Sequence, residues 1–161
     1  MSSMDNTIRK EWSFDFDYSV SLGETYTKFM EKLREKRLIG NKCGDRTFFP
    51  PLPFCSRTFE LPSEWLESDG EGTIEAFTIN YQKANSVAYT ASRVLPEVPY
   101  IIGVIKIDNS EQCLLHFLSG PELKNPEEWP EKIQAGMRVR PVWSEERSGT
   151  ILDIKYFEPV K

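Results

Sequence analysis

The stretch that decides the fold is Tyr100-Ile-Ile-Gly-Val-Ile-Lys-Ile107, followed by Asp108-Asn-Ser110 and then Gln112-Cys-Leu-Leu-His-Phe-Leu118. The first run is strongly β-branched and the second is strongly apolar, which favours strands in both. The polar triplet between them is typical of a turn. The stretch therefore predicts a central β-hairpin.

Other short strands are predicted on either side of this hairpin. Residues 73–81 follow the glycine-rich turn 69–72 and place Phe77, Ile79 and Tyr81 on one face. A last pair is predicted at residues 138–143 and 150–157, with one helical turn at residues 127–133 before it. Four or five short strands of this kind are typical of a small closed barrel.

One helix is predicted ahead of the strands. Ser21 and Glu24 have the spacing of a capping box, and Gly40 lies just past the expected end of the helix. Apolar residues recur at helical spacing, at Tyr26, Phe29, Met30 and Leu33. This apolar stripe is expected to face either the core or a partner.

The N-terminal segment has a different pattern. Residues 1–20 are expected to form a leader, within which residues 12–18 alternate aromatic with polar side chains. Such alternation is typical of a strand. It also fits an extended arm that docks its aromatic rings on another surface, and the sequence leaves both interpretations open.

Composition restricts the function classes. The chain has 161 residues and a net charge of −5, which argues against a general nucleic-acid binder. No apolar run approaches the ~18 residues of a membrane span, and the N-terminus has no apolar signal-peptide core. We therefore expect a cytoplasmic protein without a membrane partner. Its cysteines (Cys43, Cys55 and Cys113) are then expected to be thiols or metal ligands rather than a disulfide framework.

The segment 38–58 is expected to be a small lobe with little regular structure. Structural zinc usually needs four ligands, often arranged as two C-x-x-C knuckles. The partner positions of Cys43 and Cys55 would be Gly40 and Thr58, and neither residue is a normal zinc ligand. Asp45 or a residue of a partner chain would be needed to complete a site.

No catalytic set is recognisable. His116 is the single histidine, and its apolar neighbours have the opposite strand parity, which predicts that it faces solvent or a partner. Cys113 is expected on the other face of the strand, so a Cys/His pair is not predicted. Nucleophile elbows, phosphate loops and dinucleotide fingerprints are not found. We expect no catalytic residues and no enzyme activity in this chain alone.

The chain resembles the thiolase-associated proteins once called "domain of unknown function 35" (DUF35). The resemblance rests on an ordered set of segments: residues 23–34, 38–44, Phe49-Pro-Pro51 with Cys55, 70–78, 98–105, 136–143 and 156–159. It implies a mainly β fold in which an N-terminal helix and a degenerate rubredoxin-like zinc ribbon precede a C-terminal OB-fold barrel. The implied division is a leader at 1–20, the helix and ribbon at 21–60, and the barrel at 61–161.

The departure from the family is the ribbon, because relatives carry four cysteines where this chain keeps two. Cys43 and Cys55 are then vestigial ligand positions, and we expect no zinc. An apolar cluster is expected to replace the stabilising effect of the metal. Its expected members are Phe48, Phe49, Leu52, Phe54 and Phe59.

The resemblance implies a non-catalytic accessory subunit in a hetero-oligomer with a thiolase-, acyltransferase- or aldolase-type enzyme. Acyl-CoA would bind at a site shared with that partner, with no tightly bound cofactor. Apolar candidates for the partner contact are Phe14, Phe16, Tyr18, Phe29 and Met30, and basic candidates for the CoA phosphates are Lys42, Arg46 and Arg57. The alternative is a stand-alone OB-fold module that binds acyl-CoA or single-stranded nucleic acid, for which Tyr81, Tyr89 and Trp143 would stack on bases.

Overall fold

The structure, a computed structural model, describes Lys10, residues 19–82 and residues 95–160. Its first element is helix α1 (Gly23–Arg34), which buries Phe29 and Leu33. The predicted capping box is wrong. The helix cap is Leu22, and Gly23 takes a left-handed φ of 68° as the chain enters the helix, so Ser21 lies outside it.

The end of α1 is closed by Lys36 rather than by Gly40. Lys36 has a φ of 61°, and its N–H donates to the Leu33 carbonyl while the Arg37 N–H donates to the Lys32 carbonyl. This pair of bonds is the Schellman motif, in which glycine usually occupies the left-handed position.

A small three-stranded antiparallel sheet follows the helix. It is formed by β1 (Leu38–Cys43), β2 (Arg46–Phe48) and β3 (Glu64–Ser68) in the order β2-β1-β3. The lobe is thus more regular than the sequence predicted. We call it the ribbon sheet. The strand β3 pairs with β1, so the first barrel strand starts only at Gly72.

Gly40 has a packing role inside β1. A side-chain Cβ at this position would overlap the Phe48 carbonyl oxygen and lie 2.5 Å from Phe49 Cδ1. Because only a glycine lets these groups approach β1 so closely, Phe49 can enter the core, where it is 3% exposed.

The C-terminal part is a closed barrel of five strands. These are β4 (Gly72–Asn80), β5 (Tyr100–Ile107), β6 (Cys113–Leu118), β7 (Arg138–Trp143) and β8 (Ile154–Pro159). The order is β4-β5-β6-β8-β7, and β7 returns to pair with β4. The contact between β6 and β8 is parallel and the other contacts are antiparallel.

The barrel order is that of an OB-fold, so the predicted fold class is confirmed. The predicted central hairpin is also confirmed, with Ile105 opposite Leu114. The connection from β6 to β7 contains short 3-10 turns and helix α2 (Trp129–Lys132), whose Trp129 Nε1 donates to the Leu123 carbonyl at 2.9 Å. Of the helices in the described ranges, none has the length and apolarity needed to cross a membrane.

Candidate functional site

The two cysteines of the ribbon are joined to each other. Cys43 at the end of β1 and Cys55 in the following loop form a disulfide, with their Cα atoms 5.6 Å apart. The prediction that they are thiols or metal ligands is therefore wrong. The β1–β2 turn and the loop face each other, which brings the two sulfurs together. Cys113 is a free, exposed cysteine on β6.

A metal alternative is not supported by the surroundings of these cysteines. Among the described residues, no group of three or more histidine, cysteine, aspartate or glutamate side chains is arranged to hold a metal ion. Asp45, which the sequence offered as a further ligand, lies in the exposed β1–β2 turn. The zinc content of the chain stays a prediction.

A cavity of about 380 Å³ lies beside the disulfide. One wall is the β1–β2 turn with Arg46, and the other is the loop with Arg57 and Leu61. Both sulfur-bearing residues line it, together with the acidic side chains Asp45 and Glu60. We call it the ribbon cavity. Of the three basic residues predicted as candidates for the CoA phosphates, Arg46 and Arg57 line this cavity, and Lys42 lies on β1 outside the lining. Their role stays a prediction.

The two arginines of the cavity differ in their electrostatic partners. Arg46 forms an ion pair with Glu111, with Nη2 2.5 Å from Oε2, so its charge is already compensated. Arg57 is exposed and has no hydrogen bond or ion pair to any other residue in the described part of the chain. Of these two arginines, Arg57 is therefore the one more available to an anion.

Exposed apolar side chains lie on the loop that lines the cavity. Phe54 and Phe59 stack with ring centroids 6.2 Å apart, and their exposed fractions are 48% and 77%. Leu61 is 83% exposed. The expectation that Phe54 and Phe59 replace a metal as a buried cluster is therefore wrong, whereas Phe49 does join the core. An exposed patch of this kind is typical of a surface that another molecule covers.

The residues predicted to contact a partner divide into three groups. Phe29 is 2% exposed and belongs to the hydrophobic core, so the prediction is wrong for this residue. Its side chain points inward because the apolar stripe of α1 covers the ribbon sheet and the barrel. Met30 is half-buried against the same core. Phe14, Phe16 and Tyr18 lie outside the described residues.

His116 is buried rather than exposed, which corrects its predicted orientation. It is 6% exposed because Leu114, His116 and Leu118 are the inward residues of β6. Its Nδ1 accepts a hydrogen bond from the Phe117 N–H at 2.9 Å, so Nε2 donates to the Ile151 carbonyl at 3.2 Å. Burial lowers the pKa of this imidazole below its ordinary value. Cys113 lies on the opposite face, as predicted, and a Cys/His pair does not form.

A second apolar surface lies on the outside of β5 and β6, and the sequence reasoning missed it. Leu115 is 66% exposed and lies opposite Val104. Phe117 lies opposite Ile102 and meets the Tyr100 ring edge-on at 5.8 Å. The sequence did contain an indication of this surface. Odd and even positions of these strands are both apolar, which is typical of a strand that is covered on both faces.

Comparisons with known proteins agree with this architecture. Residues 65–144 match the family model of the ChsH2 C-terminal OB-fold domain. A solved structure described as an Ltp2-ChsH2(DUF35) aldolase is 18% identical, with a TM-score of 0.59 over 88% of this chain and 98% of the other. A DUF35-family protein of unknown function from Sulfolobus solfataricus is 19% identical, with a TM-score of 0.55 over 85% and 84%. No curated protein matches the chain.

Structural likeness at this level of identity shows the fold, and the family model identifies the barrel independently. The helix, the ribbon sheet and the barrel occur in the order that the resemblance implied. Residues 65–144 therefore match the ChsH2 C-terminal OB-fold family, and the chain as a whole is similar in fold to the two DUF35 structures.

Proposed function

We propose that the chain is a non-catalytic accessory subunit of a thiolase-like acyl-CoA enzyme. The observation that supports this proposal is the match of residues 65–144 to the ChsH2 C-terminal domain, together with a fold likeness to the Ltp2-ChsH2(DUF35) structure over 88% of the chain. One of the matching structures is described as an Ltp2-ChsH2(DUF35) aldolase, and this chain covers 98% of the chain that it matches there. By analogy, this chain would occupy the position of the DUF35 component beside a thiolase-like subunit.

The chemistry of the described residues supports an accessory role. The only histidine is buried and both ring nitrogens are engaged with backbone groups, so it has no free position for a substrate proton. The exposed thiol of Cys113 has no histidine beside it, because His116 lies on the opposite face of β6. The nucleophile and the bases of the reaction would then come from the partner.

The ribbon cavity is the proposed contact with the CoA part of the substrate. CoA presents anionic phosphates and a flat adenine ring. Arg57 has the free guanidinium that phosphates require, and Arg46 can contribute if Glu111 releases it. Phe54 and Phe59, on the same loop as Arg57, offer exposed aromatic rings for stacking. Lys42 would add positive charge from the neighbouring strand.

The partner would cover the exposed apolar side chains of this loop and complete the site. Phe54, Phe59 and Leu61 form an apolar surface next to unpaired positive charge, a combination that is enriched at protein interfaces. The N-terminal aromatic residues Phe14, Phe16 and Tyr18 remain proposed partner contacts, as does Met30. We propose that the chain works in the cytoplasm and holds no zinc, with Cys43 and Cys55 bonded to each other. Metal analysis of the purified chain tests the last point.

A tagged pull-down from native cells, with mass spectrometry of the captured proteins, tests the accessory role. We expect a thiolase-like protein in stoichiometric amount. Recovery of a stable, uncombined monomer would contradict the complex. Recovery of nucleic acid alone would favour the stand-alone OB-fold binder instead.

Calorimetric titration with CoA tests the shared site. We expect weak binding by the isolated chain and tighter binding by the complex, because the partner supplies the rest of the site. Arg57→Ala is expected to weaken binding by the complex, while Lys124→Ala removes an equally exposed cation remote from the cavity and serves as the control. Tight binding without a partner would instead indicate a free-standing acyl-CoA module.

A further inference from the structure

Residues 53–62, which we call the clasp segment, have few attachments to the rest of the molecule. Just before them, the Asn41 side chain bonds both backbone groups of Leu52, at 2.7 and 3.0 Å. Just after them, the Ser63 N–H donates to the Lys42 carbonyl at 2.9 Å. These two attachments fix the ends of the segment on β1.

Between those ends, the hydrogen bonds of the clasp segment are internal. The Cys55 N–H donates to the Glu60 carbonyl and the Phe59 N–H donates to the Cys55 carbonyl, both at 2.8 Å. Within the described ranges, no hydrogen bond or ion pair joins residues 53–62 to another part of the chain. The Cys43–Cys55 bond is therefore the strong link between the middle of this segment and the ribbon sheet.

The clasp segment forms one complete wall of the ribbon cavity. Arg57, Glu60 and Leu61 belong to it, whereas Gly44 and Arg46 on the opposite wall belong to the β1–β2 turn. The disulfide joins the two walls. Reduction of this bond would therefore separate the two walls and change the shape of the cavity.

The bond is accessible to a small thiol reagent. Both cysteines line the ribbon cavity, which opens to solvent. Cys55 is only 7% exposed and Cys43 is half-buried, so a thiol reagent would reach the bond from the Cys43 side. Disulfides in reducing compartments are usually transient and redox-sensing rather than structural. An accessible disulfide at the mouth of a cavity has the properties of that class.

We infer that Cys43–Cys55 is a reversible redox clasp that holds the ribbon cavity in shape. A dithiol reductant of the thioredoxin class attacks one sulfur, forms a mixed disulfide and releases the other cysteine as a thiol. Its second thiol then displaces the first cysteine, so two electrons and two protons pass to the chain and the reductant becomes the disulfide. The clasp segment is then attached only at its two ends.

The inference rests on the proposed cytoplasmic location but not on the proposed partner or on CoA. The test uses the purified full chain, poised oxidised or reduced with glutathione or dithiothreitol, with thiols counted by alkylation and mass spectrometry. Trypsin cleavage after Arg57 then reports the freedom of the segment. We expect cleavage there to be on the order of tenfold faster in the reduced protein, with unchanged cleavage after Lys106 in the barrel strand.

Cysteine variants distinguish reduction of the Cys43–Cys55 bond from other effects of the reducing buffer. Cys43→Ser with Cys55→Ser is expected to be cleaved rapidly in both buffers, and Cys113→Ser is expected to keep the full redox response. If the double variant fails to fold, the inference is tested by the cleavage of the natural chain in oxidising and reducing buffers alone. Three alkylated thiols in the oxidising buffer, or equal cleavage after Arg57 in both states, would overturn the inference.

Discussion

Arg138 on β7 holds Asp108, in the turn after β5, through two parallel hydrogen bonds. Its Nη1 lies 2.5 Å from Oδ1 and its Nη2 lies 2.6 Å from Oδ2. Glu71 adds a third contact at 3.2 Å. The strands β7 and β4 pair over only two residue positions here, so this cluster spans the seam where the barrel closes.

Removal of this arginine is expected to loosen the seam. Arg138→Met should lower the urea midpoint at pH 7 slightly, because the pair is partly exposed and screened by solvent. Hydrogen bonds from Arg138 hold the pKa of Asp108 below its ordinary 3.8. The stabilisation is therefore present above pH 3.8 and is lost as the pH falls through the lower pKa of the folded state.

The matched comparison is Arg140→Met, which removes a neighbouring ion pair with Glu158 away from the seam. Urea unfolding at pH 7 and pH 3 checks the prediction. The difference between the natural chain and Arg138→Met should shrink at pH 3. A difference of the same size at both values would count against the role of Asp108.

The buried histidine makes stability depend on pH near neutrality. Burial lowers the pKa of His116 below its ordinary 6.5, so the unfolded chain takes up a proton first as the pH falls. Stability is then lost below pH 6.5, by up to about 1.4 kcal/mol per pH unit until the folded state also becomes protonated. Thermal unfolding between pH 7.5 and 5.5 measures this slope. His116→Gln, which can still form hydrogen bonds but does not titrate, should flatten it, and an unchanged slope would exclude His116 as its source.

The left-handed residue after α1 offers a stabilising substitution. Lys36 adopts a φ of 61°, which costs an L-residue roughly 1 kcal/mol relative to glycine. Lys36→Gly should therefore raise the free energy of unfolding by roughly 0.5 kcal/mol, since part of the gain is offset by the greater freedom of the unfolded chain. Glu31→Gly, at an exposed position inside the helix, should instead lower it by about 1 kcal/mol. Urea denaturation of both variants measures the contrast, and a loss in both would refute the explanation.

The disulfide is expected to contribute to stability through the unfolded chain. It closes a loop with a sequence separation of 12 residues, for which the chain-entropy estimate is about 3 kcal/mol. Cys43→Ala with Cys55→Ala should lose a stabilisation of that order in guanidinium unfolding under oxidising conditions. Cys113→Ala should change stability by less than about 0.5 kcal/mol, because its side chain is exposed. A double variant as stable as the natural protein would show that the disulfide does not raise the free energy of unfolding.

The sequence was sufficient to predict the barrel strands, but neither the strands of the ribbon sheet nor which face of each barrel strand lies inward. The hairpin of residues 100–118 follows from two apolar runs and a polar turn, which are local signals. In β6 the apolar residues occupy both parities, so alternation could not distinguish Leu115 outside from His116 inside. The outcome depends on pairing with β5 and β8, which is decided by the whole barrel.

The candidate site was less predictable because it depends on contacts between separate segments. The positive charge of Arg46 and Arg57 was visible in the sequence, but the ion pair of Arg46 with Glu111 joins residues 65 positions apart. The pairing of Cys43 with Cys55 likewise requires that a loop fold back on the end of β1. The exposure of Phe59 could not be anticipated, because phenylalanine side chains more often enter a core.

Gly40 also restricts whether a metal-binding knuckle could be built in the ribbon of this chain. It lies three residues before Cys43, where a second cysteine of a knuckle would be found, yet any side chain there meets the Phe48 carbonyl and the Phe49 ring. Introducing cysteines at positions 40 and 58 would therefore damage the packing of Phe49 before it created a metal site. The space that a second knuckle cysteine would occupy is already taken by Phe49, so a four-cysteine site in this chain would require positions 40 and 49 to change together.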